Sequence, residues 1–211
     1  MNNKPFINSL ILIIVLLLLG CGRPAKEENQ DHAPVSSVST GQKYRIDTKE
    51  SVVTWKGSML VGSSSHTGYV YLAKGELMIE DGQVKGGTAE VDMNTIEEKT
   101  HGSENDLVRH LKDPDFFDVE KFPTSAITIT GVSSTNGEVT GDLTIKGITH
   151  AVTFPAKIEV KDGVVRAEGR LVIDRTKWGV LYKSGKFYGF LADEAISDSI
   201  EFQMNIVAKK E

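Results

Sequence analysis

Residues 148–161 read ITHAVTFPAKIEVK, and this stretch decides the fold. Apolar side chains recur at every second position, and polar or charged side chains fill the alternate positions. Successive side chains of a β-strand point to opposite faces, so the stretch predicts a strand with one dry face and one wet face. The dry parity comprises Ile148, His150, Val152, Phe154, Ala156, Ile158 and Val160.

The same period of two recurs along the chain on both sides of this stretch. Three dipeptides typical of tight hairpin turns, Asp81–Gly82, Asn136–Gly137 and Asp162–Gly163, separate the alternating runs. About eight antiparallel strands are predicted, and their shared dry face requires either a sandwich or a sheet closed into a barrel. Besides Val53 and Trp55, the other alternating runs carry Tyr69, Tyr71, Ala73, Leu77 and Ile79; Ala89, Val91 and Met93; Ile127 and Ile129; Leu143 and Ile145; Leu171 and Ile173; and Phe202, Met204 and Ile206.

One segment departs from the alternation. Residues 103–112 (SENDLVRHLK) carry apolar side chains at helical spacing, after Ser103 as a candidate N-cap. Asp113–Pro114 ends the pattern. The sequence therefore predicts one short helix, placed to cover one end of a barrel.

The N-terminal residues have the features of an export signal. Lys4 supplies the positive charge, and residues 10–19 (LILIIVLLLL) form an apolar run too short to span a bilayer comfortably. The run ends at Gly20–Cys21, which resembles the bacterial lipobox. The sequence thus predicts a signal peptide over residues 1–20 and a lipidated Cys21.

Residues 22–42 are polar, contain Pro and Ser, and show no hydrophobic periodicity. We expect a lipidated, disordered tether over residues 21–42 and a single β domain over residues 43–211. Cys21 is the one cysteine of the chain, so its lipidation leaves no disulfide. Two or more acyl chains give stable anchorage. The expected location is the cell envelope, at the outer membrane, on the periplasmic or the surface side.

Composition argues against several function classes. A formal charge of −5 and a pI near 5.6 argue against nucleic acid as a partner. The five histidines are scattered without metal-ligand spacing, and the sequence contains no G-x-S-x-G motif. We therefore expect no enzyme, no catalytic residue, no metal and no cofactor.

Four motifs, in order along the domain, resemble segments of the YceI-like family. Ser51-x-Val53-x-Trp55 resembles its first strand, and HLKDPDFFDV with Phe122–Pro123 resembles its "HL-x-x-x-DFFDV…(Y/F)P" segment. Residues 139–149 (VTGDLTIKGIT) resemble its "V-x-G-x-LTI-(K/R)-GVT" hairpin, and residues 175–180 (RTKWGV) its "R-x-(D/K)-(F/W)-G" turn. Residues 57–68 depart from the family's common form, which has a histidine soon after the first strand.

The resemblance implies an all-β, eight-stranded antiparallel, lipocalin-like barrel with one short helix. It also implies a ligand in the lumen, such as a polyisoprenoid or a fatty-acid derivative. The candidate head-group residues are His66, His150 and Arg175. The candidate lumen residues are Trp55, Tyr69, Tyr71, Leu77, Ile79, Val91, Met93, Ile127, Ile129, Leu143, Val152, Phe154, Leu171, Ile173, Phe202 and Met204.

Alternatives remain open at this stage. The lumen candidates are also typical of a solid core, and Arg175 of a salt-bridged turn beside Asp174. The alternative function is a ligand-free structural or stress-response module that presents residues 63–67 or 182–193 to a partner. The sequence leaves the oligomeric state open, a dimer included.

Overall fold

The computed structural model describes residues 41–187 and 194–211. The predicted signal peptide, Cys21 and nearly all of the predicted tether lie outside the described residues, as do residues 188–193 of the candidate partner-binding segment 182–193. Those predictions stay predictions. Gln42, the last residue of the predicted tether, pairs with Ile79 in the sheet.

Nine strands, one α-helix and one 3₁₀ turn make up the regular structure of the described chain. In chain order they are β1 (Gln42–Ile46), β2 (Val52–Ser58), β3 (Ser65–Glu80), β4 (Gln83–Glu98), α1 (Asp106–Lys112), β5 (Thr124–Val132), β6 (Glu138–Ile145), β7 (Ile148–Lys161), β8 (Val164–Asp174), the 3₁₀ turn (Arg175–Trp178) and β9 (Ser199–Lys210).

The sheet closes on itself. From β2 to β9 every strand pairs antiparallel with its chain neighbour, and β2 also pairs with β9, as Trp55 opposite Phe202 shows. Strand β1 lies beyond the start of β2 and pairs with the end of β3 and the end of β9. Since β1 and β2 share one position, nine strands form an eight-stranded barrel. The predicted fold class is confirmed, although β1 was not predicted as a separate strand.

Glycine turns set the register between strands. Asp81–Gly82, Asp162–Gly163 and Lys146–Gly147 each have positive φ at both residues, the geometry of a type I′ hairpin. The Lys146–Gly147 turn lies within the hairpin that the family resemblance implies for residues 139–149, although Lys itself gives no turn signal. Around Asn136–Gly137 only the glycine has positive φ, and its N–H donates to the carbonyl of Ser133 in a longer loop.

The helix begins two residues later than its predicted N-cap requires. Asn105, not Ser103, is the N-cap, because its side chain accepts a hydrogen bond from the N–H of Val108. The helix ends at Lys112, before Asp113–Pro114, as predicted. Val108 and Leu111 pack with β3 and β4 side chains, so the helix covers one end of the barrel. We call this end the α1 end and the opposite end, where β1 lies, the β1 end. Within the described residues no helix is long and apolar enough to cross a membrane.

Candidate functional site

A cavity of about 240 Å³ lies inside the barrel. It reaches from Leu111 and Phe116 at the α1 end to Ile46 and Leu77 at the β1 end. Its wall consists almost entirely of apolar side chains from β1 to β9 and α1. By the usual measure one water needs roughly 10–15 Å³ of such space, so the cavity has room for roughly 15–20 chain carbons.

Most of the predicted lumen residues line this cavity. Three others, Ile79, Val152 and Ile173, pack in the surrounding core without lining it. The barrel interior is therefore not solid along its length. The eleven predicted residues that line the cavity are Trp55, Leu77, Val91, Met93, Ile127, Ile129, Leu143, Phe154, Leu171, Phe202 and Met204.

The prediction that Tyr69 and Tyr71 face the lumen is wrong. On the same strand Val70 and Leu72 are each 6% exposed, whereas Tyr71, which lies between them, is 37% exposed. The register between β3 and β4 shifts between Leu72 and Lys74, where a β-bulge changes the parity of the inward face. Simple alternation carried backwards from Leu77 therefore assigns the wrong face.

Outside the lumen, the Tyr71 hydroxyl donates a hydrogen bond to the carboxylate of Glu97. That bond raises the pKa of Tyr71 above its ordinary value, and slight burial adds to the effect. Tyr71 is thus an outer-face residue with a polar partner.

Some lining residues were not predicted. Val70 and Leu72 lie before the bulge, and their inward direction has no signal in the alternation. Ile196 lies in the connection between β8 and β9, where no periodicity exists. Phe116 and Phe117 follow the helix and line the α1 end of the cavity.

Arg175 is a buried cation beside the cavity. Its side chain is 1% exposed, and its guanidinium donates to the carbonyls of Ser197, Val180 and Ile196 at 3.0, 2.7 and 3.2 Å. Burial lowers the pKa of Arg175 below its ordinary value. The nearest carboxylate is Asp198, whose Oδ1 lies 3.7 Å from Nη2 and has no hydrogen-bond partner. Arg175 therefore joins the 3₁₀ turn to the segment before β9.

The three head-group candidates do not form one site. His66 is exposed and lies opposite Gly57, a lining residue, so it stands on the lumen side of the rim at the α1 end. His150 is exposed; its Nε2 lies 3.0 Å from the carbonyl oxygen of Lys177, and its ring meets Trp178 edge-on. Of the three candidates only Arg175 lines the cavity.

Trp55 supplies a polar atom within the apolar wall. Its indole Nε1 is buried and has no hydrogen-bond partner, and the ring packs against Gly68, where a side chain would clash with it. A buried unpaired N–H destabilises the protein. Trp55 is therefore a candidate contact for an oxygen atom of a ligand.

Asp174 precedes the 3₁₀ turn, and its carboxylate stabilises the turn by accepting a hydrogen bond from Thr176. Partial burial raises the pKa of its carboxyl, but hydrogen bonds from Lys186 and Thr176 outweigh that effect and lower the pKa from 3.8 to about 2. A depressed folded-state pKa contributes stability above the unfolded-state value, and that contribution is lost as the pH falls towards 2.

We expect Asp174→Asn to remove this pH dependence. Between about pH 4 and pH 2 the parent should lose on the order of 1 kcal/mol more unfolding free energy than the variant, after allowance for solvent screening. Urea unfolding at several pH values measures this. Asp162→Asn, in an exposed hairpin turn, is the matched control. Identical acid sensitivity of parent and Asp174→Asn would contradict the role of the carboxylate.

Over residues 41–187 and 194–211 no three His, Cys, Asp or Glu side chains lie close enough to hold a metal ion together.

Sequence comparison places the described domain among known proteins. The profile of the YceI-like domain matches residues 44–208. A UPF0312 protein of Pseudomonas putida is 31% identical over 134 residues, which cover 56% of this chain and 65% of that protein. Protein YceI of Escherichia coli O157:H7 is 32% identical over 101 residues, covering 44% of this chain and 52% of that protein. The matches thus span about half to two thirds of these relatives' lengths.

Solved structures share the fold. BcnA of Burkholderia cenocepacia superimposes with a TM-score of 0.58 at 16% identity, over 78% of this chain and 99% of that one. A polyisoprenoid binding domain from Saccharophagus degradans, implicated in plant cell wall breakdown, gives a TM-score of 0.58 at 10% identity, over 80% and 98%. At these identities the likeness concerns the fold.

Proposed function

The chain belongs to the YceI-like family, and we propose that its barrel holds a long hydrophobic ligand, a polyisoprenoid or a related lipid. The observation that carries the proposal is the cavity of about 240 Å³ with an apolar wall. The fold shared with a polyisoprenoid binding domain supports the same ligand class. In this proposal the protein is a binding protein and not an enzyme.

The cavity selects for hydrocarbon. Roughly 15 buried carbons contribute about 12 kcal/mol gross at about 0.8 kcal/mol per CH₂, from which the cost of ordering the tail is subtracted. A charged group in the same place would lose its hydration, and the buried charge of Arg175 already faces Asp198 at 3.7 Å while its donors serve three carbonyls. The tail therefore occupies the cavity.

The polar end of the ligand belongs at the α1 end in this proposal. His66 stands there on the lumen side of the rim, and the unpaired Nε1 of Trp55 lies on the same strand pair. Strands at the β1 end are joined by tight turns such as Asp81–Gly82 and Asp162–Gly163. A tail longer than roughly 20 carbons would extend beyond the α1 end, because the cavity cannot contain it.

We further propose that Cys21 anchors the protein to the outer membrane through its lipid, on a tether that ends where β1 begins. The expected mature chain starts at Cys21 and carries two or three acyl chains. Intact mass of the membrane-extracted protein tests this, and Cys21→Ala should shift the protein out of the membrane fraction. A mature chain without lipid on Cys21 would refute the anchor and leave the ligand proposal intact.

The ligand itself is tested on the full chain, extracted from membranes under non-denaturing conditions. We expect one isoprenoid or related lipid per chain in the organic extract, strongly enriched over its share of the total membrane lipid. The same chain after unfolding, washing and refolding without lipid is the control. Lipids recovered only in the proportions of the whole membrane would contradict the proposal and favour a ligand-free interaction module.

A further inference from the structure

The strongest exposed apolar feature of the described chain lies at the α1 end. Leu60, Val61 and Phe187 are 52%, 56% and 57% exposed, more than any other large apolar side chain described. Leu60 and Val61 belong to the connection between β2 and β3, and Phe187 follows the 3₁₀ turn. We call these three residues the rim patch.

Hydrogen bonds join the two segments into one surface. The N–H of Leu60 donates to the carbonyl of Ala195 at 2.8 Å, and Met59 forms a β-bridge with Ile196. A side chain on Gly185, two residues before Phe187, would lie 3.5 Å from Cδ2 of Leu60. These contacts place the two segments that carry the rim patch side by side.

The rim patch also adjoins the cavity. Gly57 and Ile196 line the cavity wall, and Ile196 forms bridges with both Met59 and Ser184. Gly57 lies three residues before Leu60 on the same chain segment. Apolar surface thus continues from the inside of the barrel to the exposed rim.

We propose that the rim patch inserts into the lipid bilayer and that the ligand enters and leaves the cavity there. This inference rests on the proposed function, because a lipid moving between a bilayer and the cavity needs a path that water does not interrupt. Large apolar side chains exposed together on a protein surface typically mark a site that contacts a membrane or a partner.

The size of the patch favours a bilayer over a protein partner. A stable protein interface needs about 800 Å² and 20–30 residues a side, far beyond three side chains. Shallow insertion needs only a few apolar residues with cationic groups at head-group level. Lys183, four residues before Phe187, supplies a cation at this level, whereas the ammonium of Lys186 is already paired with Asp174 and Asp198 at 2.8 and 3.2 Å.

Site-specific labelling of the full lipidated chain tests the inference. Val61→Cys and Val172→Cys are each labelled with the fluorophore NBD and reconstituted in vesicles of equal parts phosphatidylethanolamine and phosphatidylglycerol. Val172 is the matched control, because it is 48% exposed between the buried Leu171 and Ile173 on β8 and does not belong to the rim patch. The parent chain, treated identically with NBD, measures any labelling of Cys21, which is subtracted.

We expect NBD at position 61 to emit at shorter wavelength in vesicles and to be quenched several-fold more by brominated acyl chains than NBD at position 172. On the unlabelled proteins, Val61→Asp should slow exchange of the bound lipid with vesicles about tenfold relative to Val172→Asp. Equal quenching at both positions would overturn the inference. Shielding of position 61 that depends on protein concentration would also overturn the inference, because it indicates self-association.

Bound lipid is measured in the same samples. Bound lipid without insertion of position 61 overturns this inference alone and leaves the proposed function standing. Insertion without bound lipid refutes the proposed function and reduces the rim patch to a membrane contact.

Discussion

Replacing Ala167 with phenylalanine is expected to abolish ligand binding while the barrel stays folded. Ala167 lies on β8 between Ile158 and Ile206, and its side chain lines the cavity. A phenyl ring there fills a large part of the 240 Å³ and displaces roughly six ligand carbons, a loss of about 5 kcal/mol. That loss corresponds to more than about a thousandfold in affinity.

The measurement is the amount of lipid that co-purifies with the chain, together with the thermal midpoint of unfolding. Ala151→Phe is the matched control, because Ala151 lies on the exposed face of β7. Filling existing space avoids overpacking, so the midpoint of Ala167→Phe should not fall relative to lipid-free parent. A variant that folds and keeps one lipid per chain would show that the ligand lies elsewhere.

Replacing Arg175 with methionine is expected to destabilise the domain by about 3–5 kcal/mol, because the guanidinium is buried and donates hydrogen bonds to three backbone carbonyls. Its loss leaves the carbonyls of Ser197, Val180 and Ile196 without their donor. Asp198 at the same time loses the positive charge 3.7 Å from its unpaired Oδ1 and keeps the ion pair of its Oδ2 with Lys186.

Urea unfolding of parent and variant measures this cost. Arg170→Met is the control, because Arg170 is exposed on the same strand as Asp174 and pairs with Glu201 on the surface. That exposed pair should be worth less than about 1 kcal/mol. Equal costs for the two arginine substitutions would mean that Arg175 does not hold the segment before β9.

Where the strands are regular, the sequence was sufficient to predict the fold. On β7 the parity of Val152 and Phe154 matches the structure, and both type I′ turns with an Asp–Gly pair lie where the sequence predicts them. Local patterns specify such features, because the side-chain period of a strand and the positive φ of its turn depend on neighbouring residues alone.

Where contacts from distant residues decide the geometry, the sequence was insufficient. The bulge between Leu72 and Lys74 depends on how β4 pairs with β3, and it reverses the predicted direction of Tyr71. Arg175 similarly reads as a surface turn residue until the segment before β9 covers it. The apolar cavity itself depends on closure of the barrel, which no single strand encodes.

The most direct test of the account is a crystal structure of the chain purified without unfolding or refolding. The account predicts continuous, elongated density inside the barrel, running from the side of Trp55 and Phe116 towards Ile46 and Leu77. An interior in which side chains meet across the axis and leave no space for a chain of carbons would contradict it.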